Sequence, residues 1–353
     1  MSKKIRTLPR TAEVDRWLKE HPRLRGWNLE LVRKYRIKLS EVLEYQCHSD
    51  PKEPLVFVKH RLGIVSAEKV RENLEKEFRG LESLWNRAGA SLEGTIPRPL
   101  AYLPEALAIA FEKLPGRNLD TLLKCEANRR TGRWQVRKFR KLSLGIGQWL
   151  RRYHDATAQP PDIHDSPIYL NKVSKWLNVC QEGGLDSAIS GEVLDRVRCA
   201  SDRVQGKEVL TAAMHGDLIP VNMLVDQGQV AVVDFGGYRE REPIYEDLGM
   251  FLAHLILMGE SNFYSHQVAR SMAGGFLSGY ACPVSMDLLS LYVMKAMLDM
   301  LACQFRASNR SWVKSRRLFR LETFVAAESR RLFSEHHDRD QQAVLRYILS
   351  DSF

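Results

Sequence analysis

The sequence predicts an α+β protein of two lobes, a small β-rich one followed by a larger helical one. Three observations point there. The chain has 353 residues, which is about two domains or one bilobal unit at roughly 100–200 residues per domain. Short runs rich in β-forming residues cluster within residues 36–112. Beyond the turn signal Pro115-Gly116 the pattern becomes mostly helical, with the apolar spacing of three and four that marks a helix face. The expected organisation is a basic N-terminal extension over residues 1–35, a small lobe over 36–112, a hinge over 113–116 and a helical lobe over 117–353.

Taken in order, Ala12–Glu20 and Leu29–Tyr35 read as short helices separated by His21–Trp27. Tyr35–Tyr45 reads as strand, then comes a polar loop over Gln46–Pro54 and a compact strand, Leu55–Lys59 (LVFVK). Ser66–Trp85 is expected as a helix, because Leu74, Phe78, Leu81 and Trp85 recur at helical spacing. Pro97 and Pro99 end that pattern, and Ala101–Leu103 and Ala106–Glu112 follow as strands. In the helical lobe the exception is a pair of β signals, Met223–Val225 and Val230–Asp234, around the turn Asp226-Gln227-Gly228. From Tyr245 to about Leu332 the pattern is helical again.

Composition narrows the class. An apolar fraction of 44% and a charged fraction of 27% are ordinary for a globular chain and exclude disorder as its main character. The longest apolar candidate for a membrane span, Met250–Met258, is short and contains His254, whereas spanning takes about 20 apolar residues. The N-terminal stretch is basic but lacks the apolar core of a secretory signal, so a cytoplasmic protein is expected. Six scattered cysteines form no CxxC pair, which suits free thiols better than a disulfide framework or a zinc site. The net charge of +10 favours anionic partners: nucleotides, phosphorylated substrates, anionic lipid or nucleic acid.

The chemistry is concentrated in Met214–Leu248, MHGDLIPVNMLVDQGQVAVVDFGGYREREPIYEDL. Asp217 and Asn222 are five apart, and Asp234 follows an apolar run. Phosphoryl transfer asks for positioning, for divalent metal to neutralise phosphate charge and for an acceptor of the nucleophile's proton. Mg²⁺ takes hard oxygen ligands, typically one or two carboxylates besides phosphates and water. Asp234 and Asn222 offer such oxygens, and Asp217 is a loop carboxylate able to orient and deprotonate a hydroxyl. Each residue alone also reads as a turn or cap residue around a hairpin.

His215-Gly216-Asp217, Asn222 and Asp234-Phe235-Gly236 resemble the aminoglycoside phosphotransferase and choline kinase branch of the protein-kinase-like fold. The Gly between His215 and Asp217 resembles the small-molecule branch, and Pro243-x-x-x-Asp247-Leu248 resembles its P-x-x-D-L signal with one extra residue. The resemblance implies a bilobal kinase-like fold and ATP- and Mg²⁺-dependent transfer of a phosphoryl group to a hydroxyl of a small molecule. It implies Asp217 as the catalytic carboxylate and Asn222 and Asp234 as metal ligands. It implies Lys59, at the end of LVFVK, as the phosphate-binding lysine, with Glu77 as its helix partner and Glu75 as the register alternative. Phe111–Gly116 resembles the linker between lobes, so backbone groups of Glu112 and Leu114 would meet the adenine. Leu150–His154 (LRRYH) resembles the end of the helix that precedes the catalytic loop. His215 and Asp247 are expected to brace that loop.

One departure stands out: the turn Glu44–Pro54, read as the phosphate-covering loop, has no glycine. It supports the alternative of a pseudokinase or regulatory nucleotide-binding module. A basic surface suits an anionic acceptor, a sugar or glycolipid intermediate of the lipopolysaccharide or capsule type, better than a cationic aminoglycoside. A protein kinase is weakened by the Gly216 position and by the lack of an A-P-E element. Two basic stretches remain. Residues 129–141 hold seven Lys or Arg with Trp134 and Phe139 interleaved, and Trp312–Phe333 is basic and amphipathic. Each reads either as a solvated or packed helix face or as a contact with anionic membrane; no nucleic-acid motif accompanies them.

Overall fold

The structure, a computed structural model, describes residues 11–37, 40–48, 56–61, 66–128, 130–261 and 263–308. It divides into two compact units: Met1–Gly116 with Ala231–Glu240, and Arg117–Val230 with Arg241–Phe353.

The first unit is built on one five-stranded antiparallel sheet. Helix α1 (Thr11–Glu20) leads to β1 (Leu29–Ile37), β2 (Ser40–Cys47), β3 (Val56–Arg61), helix α2 (Ala67–Leu92), β4 (Pro99–Leu103) and β5 (Ala108–Glu112), with strand order β1-β2-β3-β5-β4. Side chains alternate across a strand, and this sheet uses both faces. Val56, Val58, Ala108 and Ala110 pack with Val14 and Leu18 of α1. Ile109 packs with Val70, Leu74 and Phe78 of α2. Lys59 alternates with Val58 and pairs in register with Ile109, which puts it on the α2 face.

The helix expected over Leu29–Tyr35 is therefore a strand. Its register with β2, Leu31 opposite Tyr45 and Tyr35 opposite Val42, shows why: the partner strand satisfies its backbone, which local periodicity cannot report. The correction moves the hairpin turns. β1 ends at Ile37 and β2 begins at Ser40, so Glu44 to Cys47 belong to β2 itself. Residues 49–54, the rest of the glycine-free stretch, and Leu55, expected to open the next strand, lie outside the described residues. Helix α2 starts where expected, with Ser66 as N-cap accepting from the Lys69 N–H, but runs on to Leu92.

From Arg117 onward, β6 (Arg117–Asn118), α3 (Leu119–Glu126), α4 (Arg133–Ala156), β7 (Gln159–Ile163), α5 (Ser166–Glu182), α6 (Ser187–Arg203) and β8 (Glu208–Met214) precede the hairpin β9 (Met223–Asp226) and β10 (Gln229–Val232). Then follow β11 (Arg239–Pro243), α7 (Tyr245–Gly259), α8 (His266–Tyr280) and α9 (Met286–Ser308). The hairpin matches the expected turn, with Gln227 and Gly228 both at positive φ. Strands β7, β8 and β11 form a small sheet that the sequence pattern did not suggest. β7 contains Pro160 and Pro161, and β11 is REREP; only pairing with the apolar strand β8 makes them strands. The long helical stretch from Tyr245 is broken into α7, α8 and α9, and the part beyond Ser308, including Trp312–Phe333, lies outside the described residues. None of the helices of the described residues is long and apolar enough to cross a membrane.

Helices α4 and α8 pack at close range because glycines remove the side chains between them. A Cβ on Gly279 would lie 2.0 Å from the Leu144 carbonyl oxygen, and one on Gly147 2.1 Å from the Phe276 oxygen. Gly279→Ala must therefore push backbone from backbone, and it is expected to destabilise the protein by at least about 1–3 kcal/mol in urea denaturation. Gly191, helical and exposed on α6 with open space around it, is the control: Gly191→Ala is expected to stabilise by up to about 1 kcal/mol. Equal effects of the two would refute the close crossing.

Candidate functional site

Lys59 is the centre of the first cluster, and all its members belong to the first unit. Its ammonium lies 2.8 Å from Glu77 Oε1 and 2.8 Å from Asp234 Oδ1. Lys59 and Glu77 are buried, at 8% and 5% exposure, while the Asp234 side chain keeps 46% of its surface open to solvent. Glu77 is buried because it falls on the core stripe of α2, between Leu74 and Phe78 on one side and Leu81 on the other. Glu75, the register alternative, instead pairs with Arg79. Burial would lower the Lys59 pKa, but the charges of Glu77 and Asp234 outweigh it and raise the value, so the ammonium stays protonated. Two carboxylates around one ammonium leave the cluster with a formal excess of negative charge.

Asp234 takes its place through an unusual backbone. Its φ of 67° and ψ of 69° are left-handed, a region that costs most residues about 1–2 kcal/mol and that Asp tolerates better than most. The chain then enters a short 3-10 turn, Phe235–Gly237, which docks along α2. A Cβ on Gly236 would lie 3.5 Å from Glu77 Oε2. Tyr238 seats its ring against Gly80, and Ser83 donates to Glu240 at 3.0 Å. Residues 77, 80 and 83, successive turns of one α2 face, thus meet 236, 238 and 240. Burial and then the Glu240 carboxylate push the Tyr238 phenol above its ordinary pKa. The sequence analysis missed Gly80 and Tyr238, since nothing in a lone helical glycine or a loop tyrosine signals the pairing.

Glu112 closes β5, with its backbone N–H donated to the Arg98 carbonyl at 2.9 Å. Burial, opposed by Arg98 and aided by Glu93, raises its carboxyl pKa. Leu114 follows in the connecting segment and is buried. Next to them Lys113 donates to Glu44 at 2.6 Å, and Tyr35 donates to the same carboxylate at 2.6 Å. Lys113 thus pins the segment after β5 to β2.

The second cluster belongs entirely to the second unit. β8 delivers the chain into His215-Gly216-Asp217, a turn in which Gly216 has a φ of 81°. Asp247, 1% exposed at the start of α7, holds this turn by two backbone donors: His215 N–H at 2.8 Å and Gly216 N–H at 2.9 Å. His154, at the end of α4, lies 3.7 Å from the same carboxylate and 2.9 Å from the Tyr280 hydroxyl. Burial would raise the Asp247 pKa, but the His154 hydrogen bond and charge, then His215 and the Gly216 N–H, outweigh it and hold the value below its ordinary one. The brace expected at Asp247 is present; Tyr280 had no signal in the sequence. Asp217 is half-buried, and its N–H donates to His215 Nδ1 at 3.2 Å. Asn222 donates its amide N–H to the Asp217 carboxylate at 2.8 Å and to its backbone carbonyl at 2.9 Å. That orientation fixes Asp217 and turns the Asn222 amide oxygen the other way.

Oxygen donors of this kind fit Mg²⁺: a half-exposed carboxylate at Asp234 and an amide oxygen at Asn222. Among the described residues no group of three or more His, Cys, Asp or Glu could hold a metal by itself. An ion bound at either residue would depend on phosphate and water for most of its coordination.

Two outcomes follow from these clusters. Gly80→Ala places a Cβ 2.7 Å from the Tyr238 ring and is expected to lower stability by about 1–3 kcal/mol, although alanine favours a helix by about 1 kcal/mol; a thermal melt at or above the wild-type midpoint would refute the seat. A depressed carboxyl contributes stability that is present above its unfolded pKa of about 3.9 and lost as pH falls through its lower folded value. Asp247→Asn should thus be less stable than wild type at neutral pH, and the gap should narrow in acid; a gap that stays constant would assign the loss to packing alone.

The comparisons with known proteins come to the same fold. Solved structures with similar folds include the ADP-bound aminoglycoside phosphotransferase APH(2'')-Ib, at 14% identity and a TM-score of 0.55, covering 92% of this chain and 99% of that one. A choline/ethanolamine kinase family protein from Mesorhizobium loti matches at 15% identity and 0.55, covering 95% and 99%. A macrolide 2'-phosphotransferase type I matches at 16% and 0.54, covering 90% and 98%. No curated protein matches the sequence. The fold is the protein-kinase-like one of these phosphotransferases. The model of the phosphotransferase enzyme family matches residues 40–284, well over half of the chain, and the chain belongs to that family.

Proposed function

We propose that the protein transfers the γ-phosphate of ATP, with Mg²⁺, to a hydroxyl of a small molecule. The observation that carries this reading is the buried Lys59–Glu77 pair with Asp234 on the same ammonium, in a chain of the phosphotransferase family. A buried charged cluster costs desolvation that an apolar core would avoid, so its retention points to chemistry. In this reading residues 36–112 hold the nucleotide, residues 113–116 form the hinge and residues 117–353 supply the catalytic loop and the acceptor site. Lys59 binds phosphate oxygens, Glu77 fixes Lys59, and backbone groups of Glu112 and Leu114 meet the adenine. Asp234 and Asn222 hold Mg²⁺, which would neutralise phosphate charge when bound. Asp217, oriented by Asn222, accepts the hydrogen bond of the acceptor hydroxyl and takes its proton as the bond to phosphorus forms. Among solved structures of similar fold, a streptomycin–ATP ternary complex of APH(2")-IIa and an AMP-PNP complex of an amicoumacin kinase support the choice of ATP.

For the acceptor we propose a sugar or glycolipid. A cleft of about 380 Å³ in the second unit is lined by Tyr169 and Tyr292, Thr211, Lys172, Arg241 and Asp162 among others. Its cations are balanced, with Lys172 at 3.3 Å from Glu242 and Arg241 at 3.4 Å from Asp162. Aromatic rings with hydroxyls and charges of both signs suit a polyhydroxylated molecule.

The test is transfer of labelled phosphate from ATP into extract separated into protein, small-molecule and glycolipid fractions. Asp217→Asn is expected to lose turnover by at least about 10²-fold while binding nucleotide nearly as wild type. Lys59→Ala is expected to weaken nucleotide binding and to lower the melting temperature, since it leaves Glu77 buried without its ammonium. Near-normal turnover by Asp217→Asn would remove that residue from its role; Mg²⁺-dependent nucleotide binding with no transfer in any fraction would favour a regulatory module.

A further inference from the structure

Helix α4 has a face that the transfer chemistry does not use. Arg133, Arg137, Arg140, Lys141 and Arg152 are all exposed, and at 3.6 residues per turn they fall within roughly a third of the helix circumference. Arg130 is exposed in the loop that leads into the helix. The opposite face, with Phe139, Leu142, Ile146, Trp149, Leu150 and Tyr153, is buried. No Asp or Glu occurs from Arg133 to His154, nor anywhere in α8, the helix packed against α4. Lys138 and Arg151 have acidic partners, Glu126 and Asp155. None of the other six cations forms an ion pair among the described residues.

The pattern is costly for a helix that only needs to be solvated. Its first turn holds no acidic residue and begins with Arg133, where the macrodipole favours negative charge. Ion pairs at i,i+4 would stabilise a solvated face, and this face has none between Arg133 and Arg140. The aromatic residues make the second observation. Trp134 is 67% exposed on the same face and Phe263 is 71% exposed. The bridge between Asn128 and Tyr264 and the bond from Ser265 N–H to the Ala127 carbonyl bring the Phe263 segment beside the loop entering α4. Two large exposed rings thus stand at one end of a stripe of unpaired cations about 28 Å long at 1.5 Å per residue from Arg133 to Arg152.

We infer that this α4 face is a docking surface for an anionic phospholipid bilayer, with the cations on headgroup phosphates and Trp134 and Phe263 at the interface. A bilayer fits better than a nucleic acid because the stripe is straight and, of the two rings interleaved with its cations, Trp134 is exposed but Phe139 is buried, so the face offers no succession of rings for base stacking. Headgroup phosphate and carboxylate supply the charge the helix lacks, and tryptophan belongs at the lipid–water interface. The inference stands apart from the transfer reaction and needs none of its residues.

The test is co-sedimentation of the full chain with phosphatidylcholine vesicles that contain or lack phosphatidylserine. Binding is expected only with phosphatidylserine, and it should weaken as salt rises. Each basic residue near a charged membrane surface is worth roughly a fivefold change in affinity, so Arg137→Gln with Lys141→Gln should lose about 25-fold. Trp134→Ala should weaken binding at unchanged charge. All three positions are exposed, so melting temperatures should match wild type, and Arg133→Gln with Arg152→Gln gives the same readout should either pair fail to fold. Binding that ignores phosphatidylserine, or that both double variants retain, would overturn the inference. Retention of a DNA duplex in preference to the vesicles, lost in the same variants, would overturn it in favour of nucleic acid.

Discussion

A buried ammonium has to be neutralised, and in the first unit Lys59 is neutralised by two carboxylates that come from distant points in the chain. Glu77 lies 18 residues away and Asp234 lies 175 away. The constraint reaches outward from there. The β3 alternation must send Lys59 to the α2 face, α2 must turn Glu77 inward, and the segment over residues 231–240 must join the first unit. Each requirement is met by ordinary packing: Val56 and Val58 fill the α1 side, Leu74 and Phe78 anchor α2, and Tyr238 sits on Gly80. Loss of the Lys59 ammonium would leave Glu77 buried without a counter-charge, which costs about 3–5 kcal/mol.

The second unit solves a different problem with similar means. A turn that presents Asp217 has backbone N–H groups that point inward and need acceptors. Asp247 supplies both acceptor oxygens; His154, which Tyr280 holds by a hydrogen bond, together with His215 and the Gly216 N–H outweighs burial and lowers its pKa. The close approach of α4 and α8 through Gly147, Gly275 and Gly279 is what brings Tyr280 to His154. Glycines that look like helix weaknesses in the sequence are thus the condition for the brace.

Surface and site make separate demands on α4. Its inner face ends in His154 and serves the turn at His215. Its outer face is a run of exposed cations that opposes the helix dipole at its start. Local rules broken without structural gain are the expected mark of a functional surface.

The sequence by itself determined the two-part α+β organisation and the β9–β10 hairpin around Gln227-Gly228, and it singled out Asp217, Asn222 and Asp234 as candidates for chemistry. These were legible because local alternation, helical spacing and fixed intervals around His215-Gly216-Asp217 are written within a few residues of one another. Leu29–Ile37 was misread as a helix, and β7 and β11 were not seen, because proline-bearing or charged segments become strands only when a partner such as β2 or β8 satisfies their backbone. Only the tertiary structure chose Glu77 over Glu75, seated Tyr238 on Gly80 and joined Tyr280 to His154. Those choices depend on which groups meet across long stretches of chain, and contact energy between distant residues has no local signature.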